Sequence, residues 1–341
     1  DGGLAVGDVD GDGFAEIAVG DALFDHTGHL LWQGGKSIGS AGHGPVPVLA
    51  DVDGLPGLEL VAGPTVYRAD GSVLWDHTDD HEPDGISTVG DGVPAVADLD
   101  GDGVNEVVSR SASLHVWAGP TGAAIAGPRF PVTRAGMQGP DCDFQWSDPS
   151  NPNGDQNDQD ACNIIPSNPA IFDVDGDGKL DIVTAAQQQL DCYDSGLNPM
   201  WQGDIEDGTG ASGPMGFDFA GDGHTNAVFA DESTLWGFGA SGQTVYQAPR
   251  ISVTMYEYPS LADIDNDGHA DFLIGSNDPF LGAGHGLKAY TASGTPWAKA
   301  RGIWNQHPYL EDLVSELGTP LPSPGSQGYD GFRTTRAECV P

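Results

Sequence analysis

Carboxylates recur along this 341-residue chain at a spacing that suits a cation. Four segments, residues 8–16, 98–106, 173–181 and 263–271, read Asp-x-Asp-x-Asp-Gly-x-x-Asp/Glu, with glycine at position 4 in the first three and Asn266 in the last. Acids at positions 1, 3 and 5 of such a turn face a common centre, and glycine at position 6 permits the reversal that turns the position-7 carbonyl inward. An acid at position 9 closes the cage. At an effective dielectric of about 20, two unit charges about 4 Å apart interact by roughly 4 kcal/mol, so four converging carboxylates without a cation would push the loop open. A flexible all-oxygen cage suits Ca2+, whereas Mg2+ prefers a stricter octahedron and Zn2+ would want His or Cys. The expected ligands are Asp8, Asp10, Asp12, the Phe14 carbonyl and Glu16 in the first loop, and Asp98, Asp100, Asp102, the Val104 carbonyl and Glu106 in the next. Asp173, Asp175, Asp177, Lys179 and Asp181, then Asp263, Asp265, Asp267, His269 and Asp271, supply the other two sets, for about four Ca2+ ions.

Two further copies are eroded. Residues 51–59 carry Leu55 in place of the third acid, and residues 218–226 carry Ala220 at position 3 and Asn226 at position 9. Both loops are expected to keep the fold and to hold metal weakly or not at all, so Asp100→Ala should cost more stability than Asp53→Ala.

The elements that position these loops follow from their flanks and their period. The flanks are short, apolar and β-branched, which reads as a hairpin rather than the helix pair of an EF-hand, and the closing acid falls at position 9 rather than 12. The six loops begin at residues 8, 51, 98, 173, 218 and 263. After each comes an aromatic strand, a glycine turn and another strand: Phe24 to Trp32 around Gly28, Tyr67 to Trp75 around Gly71, Trp117 then Gly122, Tyr193 to Trp201 around Gly196, Trp236 to Tyr246 around Gly242, and Tyr290 to Trp297 around Gly294. A period near 45 residues with about four short strands is that of a propeller blade, and 51 Gly with 25 Pro excludes stacked helices. The expected fold is all-β, a β-propeller of four-stranded blades with calcium-binding hairpin loops; seven blades are favoured, with six as the alternative. Residues 1–297 would hold six recognisable repeats, and residues 298–341 a divergent seventh blade or a C-terminal closing segment. The chain opens inside a repeat, so an upstream segment missing or cleaved is part of the expectation.

Together with the loops, the stretches 61–67, 67–75 and 301–307 make the chain resemble the bacterial FG-GAP/VCBS repeat proteins, whose propellers share the calcium-loop pattern of integrin α-subunits. The resemblance spans nearly the whole chain and implies calcium at the positions already named. It speaks to fold more than to function.

The 75-residue interval between the third and fourth loops holds an insertion at about 123–167, polar and rich in Asp, Asn and Pro. Cys142 and Cys162 would pin it, a loop worth roughly 3 kcal/mol in the entropy model. Cys192 would then pair with Cys339 and latch the ring, one of three pairings open to four cysteines. No Cys-x-x-Cys is present. With 51 acidic and 12 basic residues the formal charge is −39, and four Ca2+ would leave about −31, which repels nucleic acid and anionic membranes. Disulfides and weak calcium loops place the chain outside the cell or at its surface, with the periplasm as an alternative. No run of about twenty apolar residues suggests membrane insertion.

The histidines are weighed against bland roles. His77 and His81 lie in a Gly/Pro-flanked acidic loop, His26 and His29 flank a turn, and His307 fits a structural role holding the tail to the ring. Gly-x-Ser-x-Gly, Gly-x-x-x-x-Gly-Lys and His-Glu-x-x-His are absent. Trp32, Trp75, Trp201 and Trp297 recur at matching positions, which suits packing between blades; Trp146 in the insertion is a better recognition candidate. The function expected is a non-catalytic, calcium-stabilised extracellular adhesion or interaction scaffold, part of a larger surface protein or assembly, with protein or glycan partners at the cell surface. The alternatives are a calcium-dependent lectin and, behind it, a polysaccharide lyase or hydrolase.

Overall fold

The computed structural model describes residues 2–40, 44–80, 91–111, 113–129, 167–186, 188–207, 211–252, 258–277, 286–324 and 327–335. Each repeat folds as an antiparallel meander. The first sheet is β1 (Ala5–Gly7), β2 (Glu16–Val19), β3 (Ala22–Phe24) and β4 (Leu30–Gln33); the second is β5 (Val48–Ala50), β6 (Glu59–Ala62), β7 (Thr65–Tyr67) and β8 (Val73–Asp76). The third is β9 (Val93–Ala97), β10 (Glu106–Arg110), β11 (Leu114–Ala118) and β12 (Ala124–Arg129), and the fourth β13 (Ala170–Phe172), β14 (Asp181–Ala186), β15 (Gln189–Tyr193) and β16 (Pro199–Asp204). The fifth contains β17 (Met215–Phe217), β18 (Asn226–Ala230), β19 (Thr234–Phe238) and β20 (Thr244–Pro249); the sixth has three strands, β21 (Ser260–Ala262), β22 (Asp271–Ser276) and β23 (Gly286–Tyr290). The first strands lie side by side, β1 next to β5, then β9, β13 and β17, so they form the inner wall. These strands are short and apolar, and most residues of the second and third strands are buried on both faces as well, because each sheet is covered by its neighbours.

The fourth strands carry aromatic rings onto the next sheet. Trp32 Nε1 donates to Ala69 O at 2.8 Å and Trp75 Nε1 to Gly119 O at 2.6 Å. A Cβ on Gly71 would meet Trp32 at 2.9 Å, and one on Gly122 would meet Trp75 at 2.7 Å, so each ring rests on the turn glycine of the following repeat. Trp201 sits in the same way on Gly242. Trp297 departs from the pattern: it lies outside any strand.

The tail builds no seventh sheet among the described residues. It contributes a short 3-10 turn (Glu311–Leu313) and β24 (Thr334–Thr335), which pairs in parallel with the free edge of β17. Phe332 exchanges backbone hydrogen bonds with Ile171 of β13, Tyr329 O accepts the Asp98 amide at 3.1 Å, and Gln306 Oε1 accepts the Val6 amide at 2.8 Å. Too few residues remain in extended conformation for a blade, because the segment is spent as a strap across the inner strands; the six-sheet alternative is the one that the described residues match. The insertion is likewise narrower than expected, since Ala124–Arg129 forms β12 and Ser167 is buried against Thr184; residues 130–166 lie outside the described residues. No helix among the described residues is long and apolar enough to cross a membrane.

Candidate metal centres

All six loops join an inner strand to its neighbour in one register. The position-9 residue is the first of the second strand and faces the last inner residue: Gly7 with Glu16, Ala50 with Glu59, Ala97 with Glu106, Phe172 with Asp181, Phe217 with Asn226 and Ala262 with Asp271. That position is consequently buried, and its side-chain oxygen accepts the position-2 amide, at 2.9 Å for Glu16, 2.8 Å for Glu59 and Glu106, 2.9 Å for Asp181 and 3.1 Å for Asp271. Asn226 keeps the same contact, lengthened to 3.4 Å. The position-1 aspartate holds the turn from the other side. Asp98 Oδ1 accepts the Gly101 amide at 2.8 Å and Oδ2 the Gly103 amide at 2.9 Å, and the first, fourth and fifth loops repeat both bonds. Positions 4 and 6 adopt positive φ in these loops, for example 77° at Gly101 and 90° at Gly103. Asn266 takes position 4 of the sixth loop at φ 63°, a conformation asparagine tolerates.

In five loops one oxygen from each of positions 1, 3 and 9 lies within 4.8 Å of the other two: Asp8, Asp10 and Glu16; Asp51, Asp53 and Glu59; Asp98, Asp100 and Glu106; Asp173, Asp175 and Asp181; Asp263, Asp265 and Asp271. Asp12, Asp102, Asp177 and Asp267 each accept the position-7 amide, of Phe14, Val104, Lys179 or His269, on Oδ1 at 2.8 to 2.9 Å, as the position-3 aspartates accept the position-5 amide on Oδ1 at 3.1 Å. The second loop, expected to hold metal weakly because Leu55 replaces its position-5 acid, keeps three carboxylates together at positions 1, 3 and 9. The fifth loop, with Ala220 and Asn226, gives no such set.

Burial works against charge at position 9. It pushes the carboxyls of Glu59 and Glu106 up to about 7 from 4.5 and that of Asp181 up to about 7 from 3.8, with further raising by the neighbouring aspartates and partial relief from the position-2 amides. Glu16 moves the same way for the same first cause. Three hard oxygens around one centre, one of them desolvated, fit Ca2+ rather than a soft metal, and a dication would hold all three ionised.

The second loop has a partner the sequence reading misses. Pro56 at position 6 has no amide to give Asp51, and Ser323 Oγ of the tail donates to Asp51 Oδ2 instead, at 2.6 Å. Beside it, the Tyr329 hydroxyl accepts the Asp51 amide at 2.8 Å, Tyr329 N donates to Asn105 Oδ1 at 2.7 Å, and Asn105 Nδ2 donates to Asp51 O at 2.7 Å. A Cβ on Gly328 would lie 2.1 Å from Asp98, so only glycine lets the strap pass that loop. The proline was the available signal: a loop missing a donor needs one from elsewhere.

The other singled-out residues have structural surroundings. His77 stacks on Trp117 at 4.9 Å, with its nitrogens 2.6 Å from Asp80 and 2.8 Å from Gly122 O, while His81 lies outside the described residues. His26 stacks on Phe14 at 4.6 Å, and His29 is exposed beside Asp25. His307 is buried edge-on to Tyr258 at 4.1 Å, its backbone carbonyl accepting Arg333 Nη1 at 2.8 Å, and burial holds its imidazole well below the usual range. Cys192 is a free, buried thiol in β15, packed in the fourth sheet's core with Sγ 3.8 Å from Met200 Sδ; Cys339, its expected partner, lies outside the described residues. No disulfide is seen among the described residues; Cys142, Cys162, Cys339 and Trp146 lie outside them.

No family model matches the sequence, and no curated protein matches it. Among solved structures, the V. cholerae biofilm matrix protein Bap1 superposes with TM-score 0.69 at 17% identity, covering 100% of this chain and 77% of that one. BBS1N, crystallised in complex with ARL6DN, matches with TM-score 0.50 at 10% identity over 99% of this chain and 93% of the other. The rhamnogalacturonan lyase YesW gives 0.45 at 18% identity over 85% and 48%. At such identities the likeness to Bap1 and BBS1N bears on the fold alone: repeated antiparallel sheets in a propeller-type arrangement.

Proposed function

We propose that this protein is a non-catalytic, calcium-stabilised scaffold for adhesion or interaction outside the cell. The observation that supports it is the set of five three-carboxylate clusters, each placed by the same strand register at the exit of an inner strand. Each cluster includes a buried acid, and at Glu16, Glu59, Glu106 and Asp181 burial disfavours its charge until a cation offsets it. Such loops would lock the sheets where Ca2+ is plentiful, and loops of this openness suit the millimolar concentrations found outside cells. A role of the kind named for Bap1, in an extracellular matrix, accords with this reading. The site supplies rigidity; the partner, a protein or glycan at the surface, would be met elsewhere on the ring. Native mass spectrometry of material purified from its source, with and without chelator, tests both parts. Binding of five Ca2+ together with a companion chain or glycan supports the scaffold. A protein that carries no Ca2+ and melts unchanged in excess chelator refutes it.

A further inference from the structure

The fifth loop, which lacks the three-carboxylate set, carries a cavity. In the first two repeats the loops touch directly, Leu58 N donating to Val9 O at 3.0 Å. Between the fifth and sixth loops the chain inserts a spacer: Ala298 N donates to Phe219 O at 3.0 Å, and Ala270 N to Ala298 O at 3.1 Å. The spacer brings Trp297 out of the strand pattern and sets it edge-on to Phe219, 5.2 Å away at 71°, and to Tyr246, 5.2 Å away at 90°. These rings line one side of a cavity of about 430 Å³. Asp222, His224 and Asn226 of the fifth loop line it too, with Gln243 from the β19–β20 turn and Asp175 at the edge of the fourth loop. A volume of this size falls within the range of about 300–1,000 Å³ usual for small-molecule sites.

We infer that this cavity is a binding site for one neutral pyranose ring of a glycan. Partly buried aromatic side chains beside carboxylate, amide and imidazole groups match a sugar, which presents an apolar C–H face and a rim of hydroxyls that both donate and accept. No Lys or Arg lines the cavity, and Asp222 adds negative charge, so a uronate, sulfated sugar or phosphate is disfavoured. Arg110, Arg250, Arg301 and Arg333 are all buried, so a third of the chain's twelve basic residues are withdrawn from its surface. Ala220, at the position that carries a clustered acid in the other five loops, lines the cavity, and Ala298 bridges the fifth loop to the sixth. This goes beyond the scaffold reading, since the cavity takes Ala220, Asp222, His224 and Asn226 from the fifth loop, which has no three-carboxylate set, and shares only Asp175 with the fourth; a failed sugar titration would leave the calcium count untouched.

The probes are the methyl glycosides of glucose, galactose and mannose, with glucuronate as the charged control, titrated in calcium by ligand-observed NMR and calorimetry. At least one neutral glycoside should saturate in the millimolar range, with glucuronate weaker by about tenfold or more, a difference of about 1.4 kcal/mol. Trp297→Ala should weaken binding at least about tenfold. Ala220→Trp guards against a variant that fails to fold, because Ala220 is exposed on the cavity rim: it should abolish binding and leave the melting temperature unchanged. Absence of saturation by every neutral glycoside, binding untouched by Ala220→Trp, or preference for N-acetyl-tryptophanamide over the sugars in competition would overturn the inference, the last in favour of a peptide ligand.

Discussion

Replacing Glu106 by Gln should stabilise the protein in chelator and destabilise it in calcium. Glu106 is 5% exposed at the start of β10, and its Oε2 accepts the Leu99 amide at 2.8 Å, so an amide oxygen of the same shape can keep that bond. What the substitution removes is the charge. A carboxyl held at about 7 instead of 4.5 has its ionised form disfavoured by about 3 kcal/mol, at about 1.4 kcal/mol per tenfold change in proton affinity. Its folded value lies above its unfolded one, so the stability linked to this proton is present below 4.5 and is lost as pH rises through about 7. At pH 8 in chelator the native protein therefore carries most of that penalty, and Glu106→Gln relieves it, raising the melting temperature by several degrees. With calcium the order inverts, because the ion loses one of three carboxylates that had held it. Paired calorimetric scans of both proteins at pH 8, in chelator and in millimolar calcium, give the four values needed. A variant that melts lower than the native protein in both media would show that Glu106 acts only as a hydrogen-bond acceptor, and the electrostatic reasoning would fail.

The metal-free protein as a whole should lose stability between about pH 4.5 and pH 7.5, since Glu59, Glu106 and Asp181 all sit near 7; a flat or rising melting temperature across that interval in chelator contradicts it. Asp53→Ala and Asp100→Ala should lower the melting temperature in calcium by comparable amounts, because each removes the position-3 member of a complete set; a loss confined to Asp100→Ala would restore the weaker view of the second loop. Tyr329→Phe should cost about 1–3 kcal/mol by leaving the buried Asp51 amide unpaired, read from urea unfolding, and should speed hydrogen exchange at residues 329–335. Slow exchange there, with stability unchanged, would mean that the strap does not rely on this contact.

The repeat was legible because its chemistry is local: positions 1, 3 and 9 lie within nine residues, and the strand register that buries position 9 follows from the hairpin. The second loop's set was harder to see, because Leu55 removes one acid from the pattern while Asp51, Asp53 and Glu59 stay together. Trp297 had a visible signal in its spacing, three residues after Gly294 where Trp32 and Trp75 fall four after Gly28 and Gly71. The strap was beyond reach of pattern, since Ser323, Tyr329 and Gly328 meet residues more than two hundred positions away, and neither period nor hydropathy records such pairings. Cys192 illustrates the same limit: its strand position is shared with aromatics of other repeats, and a small buried thiol fills that place as readily as a bridging one.

The residues of the strap follow all six sheets in the sequence. Tyr329 reaches Asp51 across 278 positions, and Phe332 and Thr334 cover the free edges of β13 and β17, so those edges stay bare until residues 329–335 are in place. Hairpins such as β10–β11 can pair as they emerge, while the final closure must wait for a loop spanning most of the protein, which is a slow event. During that wait the bare edges can accept a strand from a second copy as easily as from the chain's own tail. Assembly thus waits on the strap, and a cut before residue 329 would leave sheets with bare edges that recruit their neighbours.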